Sequence, residues 1–255
     1  MLLTDTHIHL YAEEFDADRE ALIKSAIDKG ISRFFLPNID SSSIVGMLDL
    51  ETRYPENCFA MMGLHPCSVK ENWEEELALV EKHLAERKFV AVGEIGIDLF
   101  WDKTFVEEQK AVFLKQVDLA NHYKLPIVIH SRDSFEMIYE LLLGHPKMEP
   151  RGIFHCFTGT LDQAERAIAM GFYLGIGGVL SFKNAGLDKV IENINLDHLV
   201  LETDAPYLAP APFRGKRNTP EYLRLVAEKL SIIKNVSIDE VARVTSENSR
   251  KVFGN

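Results

Sequence analysis

The sequence is poor in cysteine and lacks any long apolar run. Its 255 residues include 3 cysteines, none spaced as C-x-x-C, which disfavours a disulfide framework or a zinc knot and predicts reduced thiols. No apolar run approaches the about 18 residues that cross a bilayer, and the N-terminus lacks the basic start of a signal peptide. These absences predict a cytoplasmic protein without a membrane segment.

Positive charge is also scarce. The net charge of −11 argues against a broad, non-specific DNA-binding surface, which would normally be basic. A nucleic-acid substrate held locally stays possible, because bound divalent cations would add positive charge that this count omits. The apolar content of 46% is sufficient for a sizeable core, so the chain fits one large α/β domain or two small ones.

Eight short apolar runs alternate with amphipathic segments along the chain. Their near-continuous hydrophobicity is typical of parallel strands that are buried on both faces. The runs cover residues 2–7, 32–37, 58–64, 89–95, 127–130, 152–155, 172–176 and 198–202. No composition break or low-complexity linker separates them, which predicts a single domain over residues 1–255.

The segments between these runs carry helix signals. Apolar residues at helical spacing from Trp73 to Leu84 predict one helix, and Gly30 would end another over residues 21–29. The capping signals are Thr104 with Glu107, Thr160 with Gln163, Ser237 with Glu240, and Pro220 after Thr219. Eight strand–helix units in about 250 residues predict one (β/α)₈ TIM barrel, with an open doubly wound sheet as the alternative.

Side chains that can bind metals follow the predicted strands. In a barrel of this type the active site lies at the C-terminal ends of the strands, where these residues would meet. They are His7 and His9 at the end of the first run, His65 directly after the third, Glu94 near the end of the fourth, His130 and His155 at the ends of the fifth and sixth, and Asp204 after the eighth. Any one of the histidines alone could be structural, but the whole set predicts a metal centre at the barrel mouth.

Imidazole and carboxylate groups bind Zn²⁺ well and are also compatible with Mn²⁺, Ni²⁺ or Mg²⁺. A carboxylate can bridge two cations whereas a histidine cannot, so Glu94 is the expected bridge. The expected ligands are His7, His9, Glu94 and Asp204 for one cation, and Glu94, His130 and His155 for a second. Glu94 and Asp204 are the candidate catalytic residues, since Asp204 could also take a proton from the attacking water.

Cationic side chains near these strand ends suggest how a phosphate would be held. Arg132 and Arg214 are the candidate phosphate ligands. Lys216 is expected to be an ordinary solvated charge, and Arg217 fits either role. His65 would hydrogen-bond the substrate or orient a ligand.

Further side chains have two readings each. Phe100 and Trp101 would either stack on a base or pack their loop against the barrel. Glu202 would hold a metal-bound water or hydrogen-bond a ligand histidine, and Asp5 would do likewise for His7. Cys67 and Cys156 lie beside motif histidines and are expected to be packed residues rather than ligands.

A series of sequence blocks resembles the TatD family of metal-dependent hydrolases, within the amidohydrolase-like barrel superfamily. The blocks are "DTHIH", "GLHP", "VGEIGID", "IVIHSRD", "HCFTG", "ETDAPYL" and "RNTP", which extend in family order from Asp5 to Pro220. The resemblance implies a TIM-type barrel with one or two divalent metal cations. It also implies deoxyribonuclease activity, typically 3′-to-5′ on single-stranded DNA and on RNA in some members.

The same resemblance assigns the ligand roles to His7, His9, Glu94, His130, His155 and Asp204. Many amidohydrolases carry a carboxylated lysine at the end of strand four, where this chain has Glu94, which makes amide or lactone hydrolysis less expected. The alternatives are a hydrolase of small esters, amides or aminoacyl-tRNA on the same centre, or a metal-dependent scaffold. No obligate protein partner and no membrane partner are expected.

Overall fold

The structure is a computed structural model that describes residues 1–145 and 151–254. Parallel strands and helices alternate along the chain. The strands are β1 (Leu3–Asp5), β2 (Ile31–Pro37), β3 (Cys58–Met61), β4 (Val92–Asp98), β5 (Ile127–Arg132), β6 (Gly152–Phe154), β7 (Phe172–Ile176) and β8 (Leu199–Leu201). The helices are α1 (Arg19–Asp28), α2 (Ser41–Arg53), α3 (Trp73–Glu86), α4 (Val106–Tyr123), α5 (Phe135–Gly144), α6 (Leu161–Ala169), α7 (Leu187–Glu192), α8 (Leu223–Lys234) and α9 (Ile238–Phe253).

The strands form two parallel sheets, β1-β2-β3 and β4 to β8 in chain order. Backbone hydrogen bonds join the sheets at both seams. Gly93 N donates to Met62 O (3.0 Å) between β3 and β4, and Thr6 N donates to Leu201 O (2.9 Å) between β1 and β8. Because β8 returns to β1, the strands enclose a barrel, and the predicted (β/α)₈ fold is confirmed while the open sheet is excluded.

Each predicted apolar run overlaps one strand, but several boundaries differ. Strand β1 ends at Asp5, so His7 and His9 lie in the loop that follows it. Strand β4 begins and ends three residues later than the predicted run, and its ladder with β5 shifts register between Val92 and Ile95. This shift matters for the site because it surrounds Glu94.

The helix starts follow the capping signals in part. Thr160 and Gln163 form the predicted capping box, and Ser237 accepts from the Glu240 backbone N–H. The prediction at Thr104 is wrong, because α4 begins later and the Thr104 N–H donates to Asp102 Oδ1 instead. Among the described residues, no helix combines the length and apolarity that a membrane span requires.

The floor of the barrel is apolar and closed by the C-terminal helix. One buried cluster, which we call the floor, consists of Phe35, Met61, Val128, Ile153 and Val200 from the strands, Ala91 directly before β4, and Val252 and Phe253 from α9. Side chains alternate along a strand, so residues two positions further on share the same face. His130, His155 and Glu202 therefore lie directly above Val128, Ile153 and Val200, inside the barrel mouth.

Candidate metal centre

The ligand-type side chains converge on Glu94 at the barrel mouth. Glu94 is 2% exposed, and its Oε2 atom lies 3.0 Å from His7 Nε2 and 3.9 Å from His9 Nε2. Its other oxygen, Oε1, lies 2.9 Å from His130 Nδ1 and 3.6 Å from His155 Nε2. One carboxylate thus separates the histidines after β1 from those of β5 and β6, as a bridge between two cations would.

Asp204 completes the group on the β1 side. Its Oδ1 atom lies 3.3 Å from His9 Nε2 and 3.8 Å from His7 Nε2. It also reaches to 4.0 Å from His155 Nε2, and the His7 and His155 rings stack at 3.5 Å between centroids. All six expected ligands are therefore brought together in one cluster.

The direction of the Glu94 side chain depends on the break in the β4 ladder. Simple alternation from Ala91, which faces the floor, would turn Gly93 inward and Glu94 outward. The register shift between Val92 and Ile95 interrupts this alternation and lets Glu94 point into the mouth. Strand alternation alone therefore gives the wrong face for this residue.

The two central carboxylates are both ionised. Burial by itself raises the pKa of Glu94, but the charges of His65, His7 and His155 hold it well below its usual range. Burial likewise opposes a lowered pKa of Asp204, and here His155 and His9 outweigh it. Both groups are therefore negatively charged at neutral pH and suited to binding a cation.

The buried ring of His7 indicates that the cluster fits a metal. Both of its ring nitrogens are buried and lack a hydrogen-bond partner among the described residues. Nε2 lies 3.0 Å from Glu94 Oε2, but not in hydrogen-bond geometry. An unsatisfied buried imidazole is costly, and a divalent cation at Nε2 would remove that cost. The neighbouring imidazole and carboxylate donors are the types that Zn²⁺ and Mn²⁺ bind.

Two of the histidines, His130 and His9, contact a second polar group on the side away from the cluster. His130 Nε2 lies 2.8 Å from Asp98 Oδ2, and His9 Nδ1 lies 2.8 Å from Tyr11 Oη, whose hydroxyl donates to Pro37 O. Each of these partners accepts a hydrogen bond from the N–H of one ring nitrogen. The other ring nitrogen then carries the lone pair, which faces the cluster. The supporting residues Asp98 and Tyr11 are absent from the predicted site.

Glu202 supports His155 as expected. Its Oε1 atom lies 3.0 Å from His155 Nδ1, and the charges of Glu202, Glu94 and Asp204 overcome the effect of burial and raise the pKa of His155 to about 10. Glu202 fits only because β7 carries a glycine beside it. A Cβ atom at Gly175 would lie 2.2 Å from Glu202 Oε2.

Asp5 acts on the backbone rather than on a ligand ring. It accepts from the His7 backbone N–H at 3.3 Å and from the Thr203 hydroxyl at 2.6 Å. Burial raises the pKa of Asp5 to about 8. The expected hydrogen bond between Asp5 and His7 is therefore present, although it is made to the backbone of His7 and not to its ring, and Asp5 also joins the loops after β1 and β8.

His65 is oriented as a hydrogen-bond donor. Its Nδ1 accepts from the Cys67 backbone N–H at 3.1 Å, so in the neutral ring the proton lies on Nε2. That nitrogen is 3.4 Å from Glu94 Oε1 and 3.3 Å from His130 Nδ1. In this tautomer His65 donates a hydrogen bond beside the cluster.

A cavity of about 920 Å³ opens over the cluster. Arg132, Arg214 and Lys216 all line it, and Lys216 is exposed, as expected of a solvated charge. Arg217 does not line it, and its guanidinium is bound to Asp18. Of these two sequence neighbours, only Lys216 therefore faces the cavity.

The two cysteines near the site are half-buried and line the cavity. Cys156 lies next to His155, and its backbone N–H donates to Glu202 Oε1 at 2.5 Å. Burial raises the pKa of the Cys156 thiol well above its usual range, so it stays protonated. The Cys67 backbone N–H, rather than its thiol, supports His65.

A (β/α)₈ barrel with this cluster at the carboxyl ends of its strands defines a metal-dependent hydrolase. The chain belongs to the TatD related DNase family, whose model matches residues 4–254. The family expected from the sequence blocks is therefore confirmed.

Individual relatives agree with this assignment along their whole length. The metal-dependent hydrolase YabD of Bacillus subtilis is 40% identical, covering 99% of each chain. The 3′-5′ ssDNA/RNA exonuclease TatD of Erwinia tasmaniensis is 31% identical, covering 98% of each chain. The crystal structure of the TatD homologue YjjV of Escherichia coli superposes with a TM-score of 0.93 at 32% identity, covering 99% of this chain and 98% of that one.

Proposed function

We propose that this protein is a metal-dependent deoxyribonuclease that removes nucleotides from the 3′ end of single-stranded DNA, with RNA as a second substrate. The observation that carries the proposal is the division of the ligand-type histidines by the two oxygens of Glu94. Basic side chains line the same cavity, as a phosphodiester substrate requires. The exonuclease activity named for the Erwinia relative supports the same substrate class.

The chain would bind one or two divalent cations, with Zn²⁺, Mn²⁺, Ni²⁺ and Mg²⁺ as candidates. When bound, such cations activate water and neutralise the charge that develops on the phosphate. The side chains that would hold them are His7, His9, Glu94 and Asp204 on one side, and Glu94, His130 and His155 on the other.

Asp204 is the residue we assign to proton transfer. Its side chain is 12% exposed against 3% for Glu94, so of the two carboxylates it is the one that reaches cavity water. Its lowered pKa keeps it ionised and able to accept the proton of the attacking water. Glu94 would hold the two halves of the cluster in fixed positions.

Three donors would position the phosphate. Arg132 and Arg214 line the cavity, and planar guanidinium groups match the geometry of phosphate oxygens. His65 would add a neutral N–H donor from its Nε2 atom. The substrate would then be held from two sides of the mouth while its 3′ end lies over the cluster.

We further propose that residues 1–255 form one catalytic domain that works without an obligate protein partner or a membrane. The helices and strands of the described residues make a single barrel, which supports this assignment. All three cysteines are free thiols, which supports a reducing, cytoplasmic location.

The proposal is tested with a 5′-labelled single-stranded oligonucleotide and protein reconstituted with Mg²⁺, Mn²⁺, Zn²⁺ or Ni²⁺ in turn. A ladder that shortens from the 3′ end is the expected result, with none from the double variant His130→Ala/His155→Ala. Absence of cleavage with every metal would refute the proposal. Much faster turnover of small esters or aminoacyl-tRNA, without competition by phosphate, would favour the alternative hydrolase.

A further inference from the structure

An exposed aromatic pair lies at the rim of the metal cavity. In the loop after β4, Phe100 is 50% exposed and Trp101 is 70% exposed. Their rings are nearly perpendicular, with centroids 5.0 Å apart. The Arg132 guanidinium lies over both rings, 4.0 Å from the Phe100 centroid and 5.4 Å from that of Trp101. We call these three side chains the platform.

The loop that carries the platform is held in place by hydrogen bonds. Asp98 Oδ1 accepts from the backbone N–H groups of both Phe100 and Trp101 at 2.9 Å. On the far side of the pair, Lys70 Nζ binds Asp102 Oδ2 at 2.7 Å. The backbone that carries the rings is therefore fixed. Trp101 is largely open to solvent, whereas the half-exposed Phe100 ring also packs its loop against Arg132 of β5.

The platform is also tied to the metal cluster. Asp98 contacts the loop through Oδ1 and His130 Nε2 through Oδ2, at 2.8 Å. Arg132 lies two residues after His130 on the same strand, and Trp101 and Arg132 line the cavity together with Glu94. A group bound to the platform is thus held at a fixed position relative to the cluster.

The chemistry of the platform selects a flat, electron-rich ring next to an anion. Aromatic faces and a guanidinium plane both stack on nucleobases, whatever the base. In residues 1–145 and 151–254, Arg132 has no carboxylate within ion-pair distance, so its charge is available to a phosphate. A nucleotide unit supplies both groups, whereas a small aliphatic ester or amide supplies neither.

We propose that Phe100, Trp101 and Arg132 form a stacking subsite for one nucleobase of a single-stranded polynucleotide, without preference among the bases. This subsite rests on the proposed nuclease function. It adds that the protein binds a base of the substrate as well as its phosphate. Since one base can occupy it only when unpaired, it also favours single strands over duplex.

The test measures binding separately from turnover. The chain has 2 tryptophans, and the variant Trp73→Phe leaves Trp101 as the only reporter. Zinc-loaded Trp73→Phe protein is titrated with a thymidine octamer whose phosphorothioate linkages resist cleavage, and with an abasic octamer of the same backbone. We expect the thymidine octamer to quench Trp101 emission and to bind at least about five-fold more tightly than the abasic one.

Two substitutions at the same position separate stacking from loop structure. Both variants lack the Trp101 reporter, so their binding is measured by the fluorescence anisotropy of fluorescein-labelled octamers to which the unlabelled protein is added. Trp101→Leu should lose the preference for the thymidine octamer while its affinity for the abasic octamer stays unchanged. Trp101→Phe keeps a ring and should retain most of the preference.

Failure of the subsite and failure of the proposed function give different results. Equal affinity for the two octamers, or no binding of either, would overturn the subsite and leave the exposed rings to a protein partner. Stacking on Trp101 without cleavage of any DNA or RNA would retain the subsite and refute the nuclease. Cleavage at the same rate on normal and abasic strands, unchanged by Trp101→Leu, would refute the subsite and retain the nuclease.

Discussion

The two ends of the barrel interior are built from the same strands but have opposite chemistry. Val128 and Ile153 belong to the apolar floor, and two residues further along each strand His130 and His155 face the mouth. The floor is closed by Phe253, whose ring stacks on Phe35 at 4.0 Å between centroids. The mouth is instead filled with imidazoles and carboxylates. The same inward-facing positions of a strand therefore supply an apolar residue to the floor and, two residues later, a polar residue to the mouth.

This contrast separates stability from function. Burying the floor residues is favourable without any partner, since apolar area is removed from water. The mouth buries polar atoms that the described residues do not satisfy, such as both ring nitrogens of His7. We therefore expect substitutions in the mouth to remove activity and those in the floor to remove stability.

The largest effect is expected from Glu94→Gln, which keeps the shape of the side chain but removes the charge between the two histidine groups. Hydrolysis should fall by about 10³-fold, equivalent to about 4 kcal/mol in the activation barrier. Metal content, measured by mass spectrometry, should fall as well, while the urea unfolding midpoint of the metal-free protein stays within error or rises. A variant that retains both its metal and its activity would refute the bridging role.

Phe253→Ala should have the opposite signature. It removes the ring that stacks on Phe35 and leaves a cavity at the floor, which typically costs about 3 kcal/mol of the free energy of unfolding. Urea denaturation measures the loss. Hydrolysis per folded molecule should change by less than about two-fold, because the unfolding cost of a floor cavity does not enter the chemical step. A large loss of activity at full folding would show that the two ends are mechanically coupled.

Asp98→Asn should lower the metal affinity of the mouth without lowering the stability of the floor. It replaces the carboxylate behind His130 with an amide, and loss of such a support typically lowers metal affinity by about 10- to 100-fold. Competition with a chelator of known affinity measures the change. Asp102→Asn is the matched control, since that carboxylate lies in the same loop but pairs with exposed Lys70. Equal effects of the two substitutions would contradict a specific role for Asp98.

The fold and the main cluster could be predicted because both follow from local rules. Eight buried runs at regular intervals require a parallel sheet, and polar residues at the ends of those runs must meet at one rim. His130 and His155 were placed by this argument alone. The same argument predicts Glu94 at the mouth, but it does not give the direction of the side chain, which depends on a register shift in β4 that the sequence pattern does not reveal.

Two supporting residues, Asp98 and Tyr11, are missing from the sequence-based prediction for another reason. Their roles depend on which ring nitrogen faces inward, which the sequence does not encode locally. Asp98 lies in a recognised block, but only the three-dimensional arrangement brings it to His130. Arg217 was left undecided beside Lys216, because the partner that removes it from the mouth, Asp18, is 199 positions away.

The smallest effect is expected from Tyr11→Phe, which tests the mouth at its least charged support. The substitution removes the hydroxyl oxygen that lies 2.8 Å from His9 Nδ1 but leaves the ring that packs beside it. A hydrogen bond between neutral groups contributes about 1 kcal/mol, so metal affinity should fall by about five-fold, less than for Asp98→Asn, whose bond is to a charged acceptor. The same chelator competition ranks the two variants, and unfolding in urea should be nearly unchanged because Tyr11 is only half-buried and water can replace the hydroxyl. If Tyr11→Phe weakened metal binding more than Asp98→Asn, the tautomer of His9 rather than the charge behind His130 would control the centre.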